Sequence, residues 1–361
     1  MAQADPVPRR MVHLTHGHAE CLNPNSQIET TTSRSSHNHG WGMAKISLII
    51  ATHNRPKLLV RAVNSAYAAG ADDLEIVVVD DASTAETYEA CKSFSNVHYV
   101  RLDRRQGSGG ARNLGLVVSR SEYVTFLDDD DSRLPCSLGQ QSNLLDQEPE
   151  VGMVYGRALL VDNNCEQAYA SYPAVLFQGD IFWKLLTRNF IPCGSALFRR
   201  SCLSKVGLMA DDAFGMEDWD LWVRIAEMFP ILAVDSPIYS YRTPRPGSDQ
   251  FTTHASRVVQ HCTRLFHNWL KLPRCRRLSK SFRQKLWIDF SAGMGAHLLG
   301  DSWNALRRGH LINALKNLTV CPRLHALALP EVIGCKLLGI PRKSRSWDFD
   351  TQSTTGSADG F

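Results

Sequence analysis

A β-branched and aromatic run, Tyr123-Val124-Thr125-Phe126-Leu127, ends abruptly in Asp128-Asp129-Asp130-Asp131. The run reads as a buried strand, and such a strand delivers its acids to the rim of a sheet. Adjacent carboxylates repel one another, so four together are costly unless something cationic neutralises them. A divalent metal carrying a diphosphate meets that need through oxygen ligands. The competing reading, an acidic surface turn capping a helix that starts near Pro135, fits poorly with the buried character of Phe126 and Leu127.

The chain has 361 residues, 43% of them hydrophobic, which suffices for one large domain of roughly 200–250 residues plus an appendage. A net charge of +4 is too small and too evenly spread to argue for nucleic acid. The stretch from Lys271 to Arg308 is locally basic and reads either as a solvated helix face or as a contact for an anionic surface. Ten cysteines are scattered singly, with no Cys-x-x-Cys pair and no His at zinc-finger spacing, and they read as reduced, mostly buried thiols. Arg9 and Arg10 are not followed by an apolar run, so no secretory signal is expected and the cytoplasm is the default compartment. No apolar run reaches the roughly 18–20 residues that span a bilayer. The nearest, from Leu324 to Ile340, is interrupted by His325, Pro330, Glu331 and Lys336. It reads as a packed helix, with an interfacial helix as the alternative.

Residues 1–44 are rich in Ser, Thr, Asn, His and Gly without apolar period, which predicts a disordered tail and makes Met43 the expected start of the functional unit. Its His-Gly-His and His-Asn-His pieces at 16–18 and 37–39 read as solvated tail. From Ile46 onward strands and helices alternate. Strands are expected at 46–51, 74–79, 97–102 and 123–127, with helices over 57–69, from Ser83 as cap through about Phe94, and from about Ala111. This order with short links predicts an α/β fold, a doubly wound, mostly parallel sheet covered on both faces. Such sheets bind ligands beyond the carboxyl ends of their strands. Beyond Val151 the pattern loosens; 219–229 is an amphipathic helix, and residues from about 253 to 338 read as helical. The expected divisions are a tail at 1–44, the α/β domain at 45–245, a helical C-terminal extension at 246–341 and a disordered tail at 342–361.

Three strand ends carry polar groups. Thr52-His53-Asn54-Arg55 follows the first and Asp80-Asp81 the second. The acidic run follows the fourth. Asp81 can accept a hydrogen bond from a base or ribose, although Asp-Asp-Ala-Ser is also a good helix start. Gly107-Ser108-Gly109-Gly110 lets backbone approach a ligand, with Arg112 available for phosphate or base contact; it is neither a dinucleotide fingerprint nor a P-loop. On extended backbone Asp128 and Asp130 point the same way and can share a Mg²⁺ or Mn²⁺. Asp218 opens a helix, either complementing its dipole or reaching the crevice as a general base. Trp219 and Trp222 read as packing residues.

Five motifs in order resemble glycosyltransferase family 2: Ile-Ile-Ala-Thr-His-Asn-Arg, Val-Val-Val-Asp-Asp-Ala-Ser, Gly-Ala-Arg-Asn-Leu-Gly, Phe-Leu-Asp-Asp-Asp-Asp and Glu-Asp-Trp-Asp-Leu-Trp. The similarity runs from about Ile46 to the closing Tyr239-Ser240-Tyr241-Arg242. The resemblance implies a GT-A fold, a nucleotide-sugar donor, a glycan or lipid-linked acceptor and inverting, metal-dependent transfer in cell-envelope or exopolysaccharide synthesis. By position it implies that Asp81 and Thr52 line the nucleobase pocket, that Arg112 contacts the nucleotide, and that Asp130 with Asp128 forms the metal-binding DXD motif. It also implies that Asp218 is the catalytic base. Many relatives carry a small residue at the place of Asp129, so which of the four acids touch the metal stays open. Extensions like the one after Arg242 bind acceptors or dock peripherally on membranes in such enzymes, here at the inner face. A catalytically silent binding subunit is the main rival reading; a nucleotidyltransferase is the lesser one, because Thr-His-Asn-Arg stands where a basic Gly-rich signature is needed.

Overall fold

Residue alternation in the central strands determines which helices can cover each face of the sheet. The computed structural model describes residues 44–71, 73–94, 96–162, 167–210, 213, 215–243 and 255–307. The expected tails, the His-rich pieces and the 324–340 segment lie outside these, apart from Ala44.

The first half alternates strand and helix: β1 (Ile46–Thr52), α1 (Pro56–Ala68), β2 (Leu74–Asp80), α2 (Ala85–Cys91), β3 (Val97–Arg101), α3 (Gly107–Val118) and β4 (Tyr123–Asp128). There follow β5 (Ser132–Arg133), α4 (Ser137–Gln147), β6 (Met153–Val161), β7 (Ala168–Tyr172), α5 (Phe182–Leu185), β8 (Leu197–Arg199) and α6 (Leu203–Val206). The remaining elements are α7 (Glu217–Met228), β9 (Ile231–Arg242), α8 (Ala255–Trp269), α9 (Pro273–Arg276) and α10 (Lys280–Arg307). The strands form one sheet in the order β3-β2-β1-β4-β8-β6-β9-β5, with β7 paired to β6. β1 is parallel to β2 and β4, β2 to β3, and β6 to β9, while β5, β7 and β8 pair antiparallel. This is the expected α/β architecture, with antiparallel strands threaded into its second half.

Period-two alternation divides the core into two clusters. Ile46, Leu48 and Ile50 of β1, with Ile76 and Val78 of β2, pack with Leu59, Ala62, Val63 and Ala66 of α1 and Leu138 and Leu145 of α4. Ile49 of β1, Val77 and Val79 of β2, and Val124 and Phe126 of β4 pack with α3, α5, α7, α8 and α10. Helix α3 lies so close to β1 that a Cβ at Gly115 would stand 2.4 Å from Ile49 Cγ2, which explains the glycine inside that helix. Trp219 and Trp222 are buried; Trp222 lies 5.7 Å from the Phe198 ring and 6.4 Å from that of Phe126, so both are packing residues as expected.

Two local expectations are corrected. The Gly-rich segment is the first turn of α3, beginning at Gly107, and not a turn that precedes a helix from Ala111. Thr84, not Ser83, occupies the N-cap of α2. The Ser83 hydroxyl instead accepts the Asn54 amide at 2.8 Å, tying the β2 end to the β1 end.

The helices after β9 complete the second cluster. Phe266 of α8 stacks on Phe290 of α10 at 4.4 Å, and Trp269 lies 5.1 Å from the Trp219 ring. The Trp269 indole N–H donates to Asp220 Oδ1 at 2.8 Å in a buried contact, so α8 is fastened to α7. Removing so large a buried ring typically costs about 3–5 kcal/mol. Trp269→Ala is therefore expected to lower the urea midpoint by that scale of stability, whereas a dispensable extension would leave the midpoint unchanged.

Candidate active site

The carboxyl ends of β1, β2 and β4 lie side by side, because Thr52 pairs in register with Asp80 and Ala51 with Asp128. Every polar group delivered by these strands therefore arrives at one edge. The Thr52 hydroxyl donates to Asp129 Oδ2 at 2.8 Å, and the Asp81 amide donates to the Thr52 carbonyl at 2.9 Å. The Asp81 carboxylate accepts the backbone amides of Gln106 at 2.6 Å and Gly107 at 2.9 Å, fastening the start of α3 to the end of β2.

β4 stops at Asp128, and the Asp131 amide donates to the Asp128 carbonyl at 3.1 Å. The acids thus form a tight turn, and the extended backbone expected to aim Asp128 and Asp130 alike is absent. Each acid meets a different neighbour. Asp128, with 35% of its side chain exposed, pairs with Arg112. Asp129 accepts Arg55 at 3.0 Å, and Asp130 accepts Arg55 at 3.3 Å and Arg242 at 2.8 Å. The Arg242 amide donates to Asp131 Oδ1 at 2.8 Å, continuing the β5–β9 pairing into the turn. Arg61 donates to the Asp130 carbonyl. Three guanidiniums from three separate segments, Arg55, Arg112 and Arg242, thus supply the positive charge that a run of acids demands.

Arg112 joins this turn to the start of α7. Its guanidinium is almost fully buried, pairing with Asp128 and, at 3.1 Å, with Glu217. Glu217 also accepts the Ser108 hydroxyl, while its Oε2 has no hydrogen-bond partner. Arg112, expected at the nucleotide, links the partly exposed Asp128 to the buried Glu217. Beside Glu217, Asp218 is partly exposed and accepts only its neighbour's amide, from Trp219 at 2.7 Å, among the described contacts. Burial raises Asp218 to about 7, with the Glu217 charge adding and Arg112 opposing. Burial likewise lifts Asp129 to about 6 against the pull of Arg55, and it carries Asp131 well above the usual carboxylate range.

The structure therefore brings Thr52, Asp81, Arg112, Asp128 and Asp130 to one edge, with Asp218 joined to it through Glu217 and Arg112. It adds Arg55, Glu217, Arg242 and Cys193. Burial pushes the Cys193 thiol well up against the pull of Arg112, and the charges of Asp128, Asp218 and Glu217 add to the rise. Arg55, Glu217 and Arg242 stood inside the quoted motifs; only their pairings were hidden. Among the described residues no cysteine is disulfide-bonded, no helix is long and apolar enough to cross a membrane, and no three His, Cys, Asp or Glu side chains cluster to hold a metal. The donors that are present are hard oxygens, with Asp128 partly open to solvent. They fit a Mg²⁺ or Mn²⁺ ion that takes one or two carboxylates and completes its shell from phosphate and water.

The likeness to known proteins agrees with this geometry. Residues 47–207 match the model of Glycosyl transferase family 2. That segment of the chain is similar to the family, and the fold is GT-A. An uncharacterized glycosyltransferase of Nostoc sp. is 31% identical over 170 residues, 45% of this chain and 53% of that one. The Escherichia coli UDP-Glc:alpha-D-GlcNAc-diphosphoundecaprenol beta-1,3-glucosyltransferase WfaP is 25% identical over 51% of this chain and 70% of its own length. The mannosyltransferase PcManGT from Pyrobaculum calidifontis, in complex with GDP-Man and Mn²⁺, superposes with a TM-score of 0.53 at 19% identity, covering 83% of this chain and 84% of that one. The chain spans about half of the Nostoc relative's length and 38% of that of a Rickettsia felis relative.

An acid whose folded pKa stands above its unfolded value stabilises the fold fully below the unfolded value. It loses that contribution as pH rises through the folded value. For Asp218 the window runs from about 4 to about 7. Urea unfolding at pH 5 and pH 8 is expected to show a smaller loss of stability on raising the pH in Asp218→Asn than in the wild type; equal losses would contradict the raised pKa.

Proposed function

We propose that this protein transfers a glycosyl group from a nucleoside diphosphate sugar to an acceptor hydroxyl, with inversion and with Asp218 as the base. The observation that carries the reading is Asp218 itself. It is a half-buried carboxylate with a pKa of about 7, tied through Glu217 and Arg112 to Asp128 at the strand ends. A base poised near neutrality takes a hydroxyl proton efficiently at physiological pH. As the proton passes to Asp218, the acceptor oxygen attacks the anomeric carbon from the face opposite the leaving group. The bond from that carbon to the diphosphate oxygen breaks, and its electron pair departs with the nucleoside diphosphate.

Asp128 and Asp130 are the residues that would hold a divalent cation, with Asp81 and Thr52 beside the nucleobase. Bound there, Mg²⁺ or Mn²⁺ supplies charge neutralisation for the departing diphosphate. The Mn²⁺ and GDP-Man in the PcManGT complex support the cofactor and the donor class. The diphosphoundecaprenol acceptor named for WfaP supports a lipid-linked acceptor and a role in cell-envelope or exopolysaccharide synthesis. Such an acceptor would bring the protein peripherally to the inner face of a membrane. The division into an α/β domain at 45–245 and a helical extension at 246–341 belongs to the same reading, with α8 and α10 packed against the helix that carries the base.

The test is calorimetry of the full chain against UDP-, GDP-, dTDP- and CMP-linked sugars with and without Mn²⁺, followed by turnover on the donor that binds. Asp218→Asn is expected to lose about 10²–10⁴-fold in turnover while keeping donor affinity, and Asp130→Ala to lose metal-dependent donor binding. In the wild type, kcat/KM should rise with pH through a limb near 7, because the base must be ionised. Near-normal turnover in Asp218→Asn would remove the base assignment. A folded protein that binds none of these donors would favour the silent-subunit reading.

A further inference from the structure

Asp130 is almost fully buried, yet two guanidiniums already contact its carboxylate: Arg55 at 3.3 Å from the loop after β1, and Arg242 at 2.8 Å from the end of β9. A divalent cation at the same carboxylate and two monovalent cations within hydrogen-bond distance repel one another strongly in so dry a place. Either the arginines withdraw or the metal stays out. The arginines are not equally bound elsewhere. Arg55 has a second carboxylate, Asp129, at 3.0 Å, and over a third of its side chain faces solvent. Arg242 is less exposed, and its buried Nε has no hydrogen-bond partner, so its guanidinium is incompletely satisfied where it stands. A guanidinium that leaves a carboxylate is well matched to a phosphate, which accepts the same planar fork.

We propose that Arg55 and Arg242 are resident counter-ions of Asp130 that compete with the divalent cation and make its binding conditional on a diphosphate able to receive the displaced guanidiniums. This rests on the reading of Asp130 as a cation-binding residue. Metal and diphosphate then bind with positive coupling, each raising the affinity of the other by the same factor. Without a diphosphate, displacing the arginines opposes metal entry. With one, the displaced charges gain a new partner, and the opposition is relieved.

The experiment is titration of the full chain with Mn²⁺, read by the electron paramagnetic resonance signal of the free ion, first alone and then with UDP or GDP. The variants are Arg242→Gln and Arg55→Gln, each checked by thermal melting; Arg55→Gln is the safer of the two for folding because its side chain is the more exposed. Either variant, if folded, is expected to bind Mn²⁺ alone on the order of tenfold more tightly than the wild type, the change that loss of a charge-assisted hydrogen bond to the competitor implies. The gain in Mn²⁺ affinity on adding the diphosphate should be larger in the wild type than in the variant. In an Asp130→Asn background the substitutions should no longer change Mn²⁺ binding. Unchanged or weaker Mn²⁺ binding in the folded variants overturns the competition. A wild-type chain that binds no Mn²⁺ even with UDP or GDP instead overturns the cation assignment at Asp130, which is a separate result.

Discussion

Four carboxylates in a row at the end of a buried strand are the charge problem around which this half of the molecule is arranged. Each is partly or wholly withdrawn from water, where unpaired charge is most costly. The partners come from far along the chain: Arg55 after β1, Arg112 in α3 and Arg242 at the end of β9. Meeting that demand brings three separate segments to one edge of the sheet. The Arg242 amide adds a backbone bond to Asp131, so β9 is held to the turn by main chain and side chain together.

Arg112 extends this arrangement to the start of α7, beside Asp218. It is the guanidinium shared by Asp128 and Glu217, and its charge also acts to lower the pKa of Asp218. That pull is outweighed by burial. The Cys262 thiol of α8 feels the Asp218 charge, and Trp269 of the same helix bonds Asp220, two residues along α7. The C-terminal helices are thus packed on the helix that carries Asp218.

The parallel half of the sheet was legible because buried strands carry continuous apolar runs and their covering helices repeat at 3.6 residues. Both signals are local. The antiparallel insertion of β8 between β4 and β6 was not legible. β8 spans only Leu197–Arg199, too short to show a period, and its place depends on pairing with residues some seventy positions away. At the site, residue types were readable and geometry was not. The turn that ends β4 removes the extended backbone on which Asp128 and Asp130 would point alike. The start of α3 is hidden in the sequence because Gly107, Gly109 and Gly110 disfavour helix on propensity, whereas in the fold Asp81 anchors the amides of Gln106 and Gly107. The arginine pairings join residues between 16 and 112 positions apart and leave no periodic trace in the sequence.

The turn also separates four chemically identical acids into different environments. Asp129 is covered by the Thr52 hydroxyl and by Arg55, and Asp131 is buried against the Arg242 amide; burial favours a proton on each. Asp128 and Asp130 meet guanidinium side chains, Arg112 on one and Arg55 and Arg242 on the other. The one-residue spacing of the charged pair is therefore not a consequence of strand pleat. It follows from a turn that sends Asp128 to Arg112, Asp129 and Asp130 to Arg55, Asp130 also to Arg242, and Asp131 to the Arg242 amide.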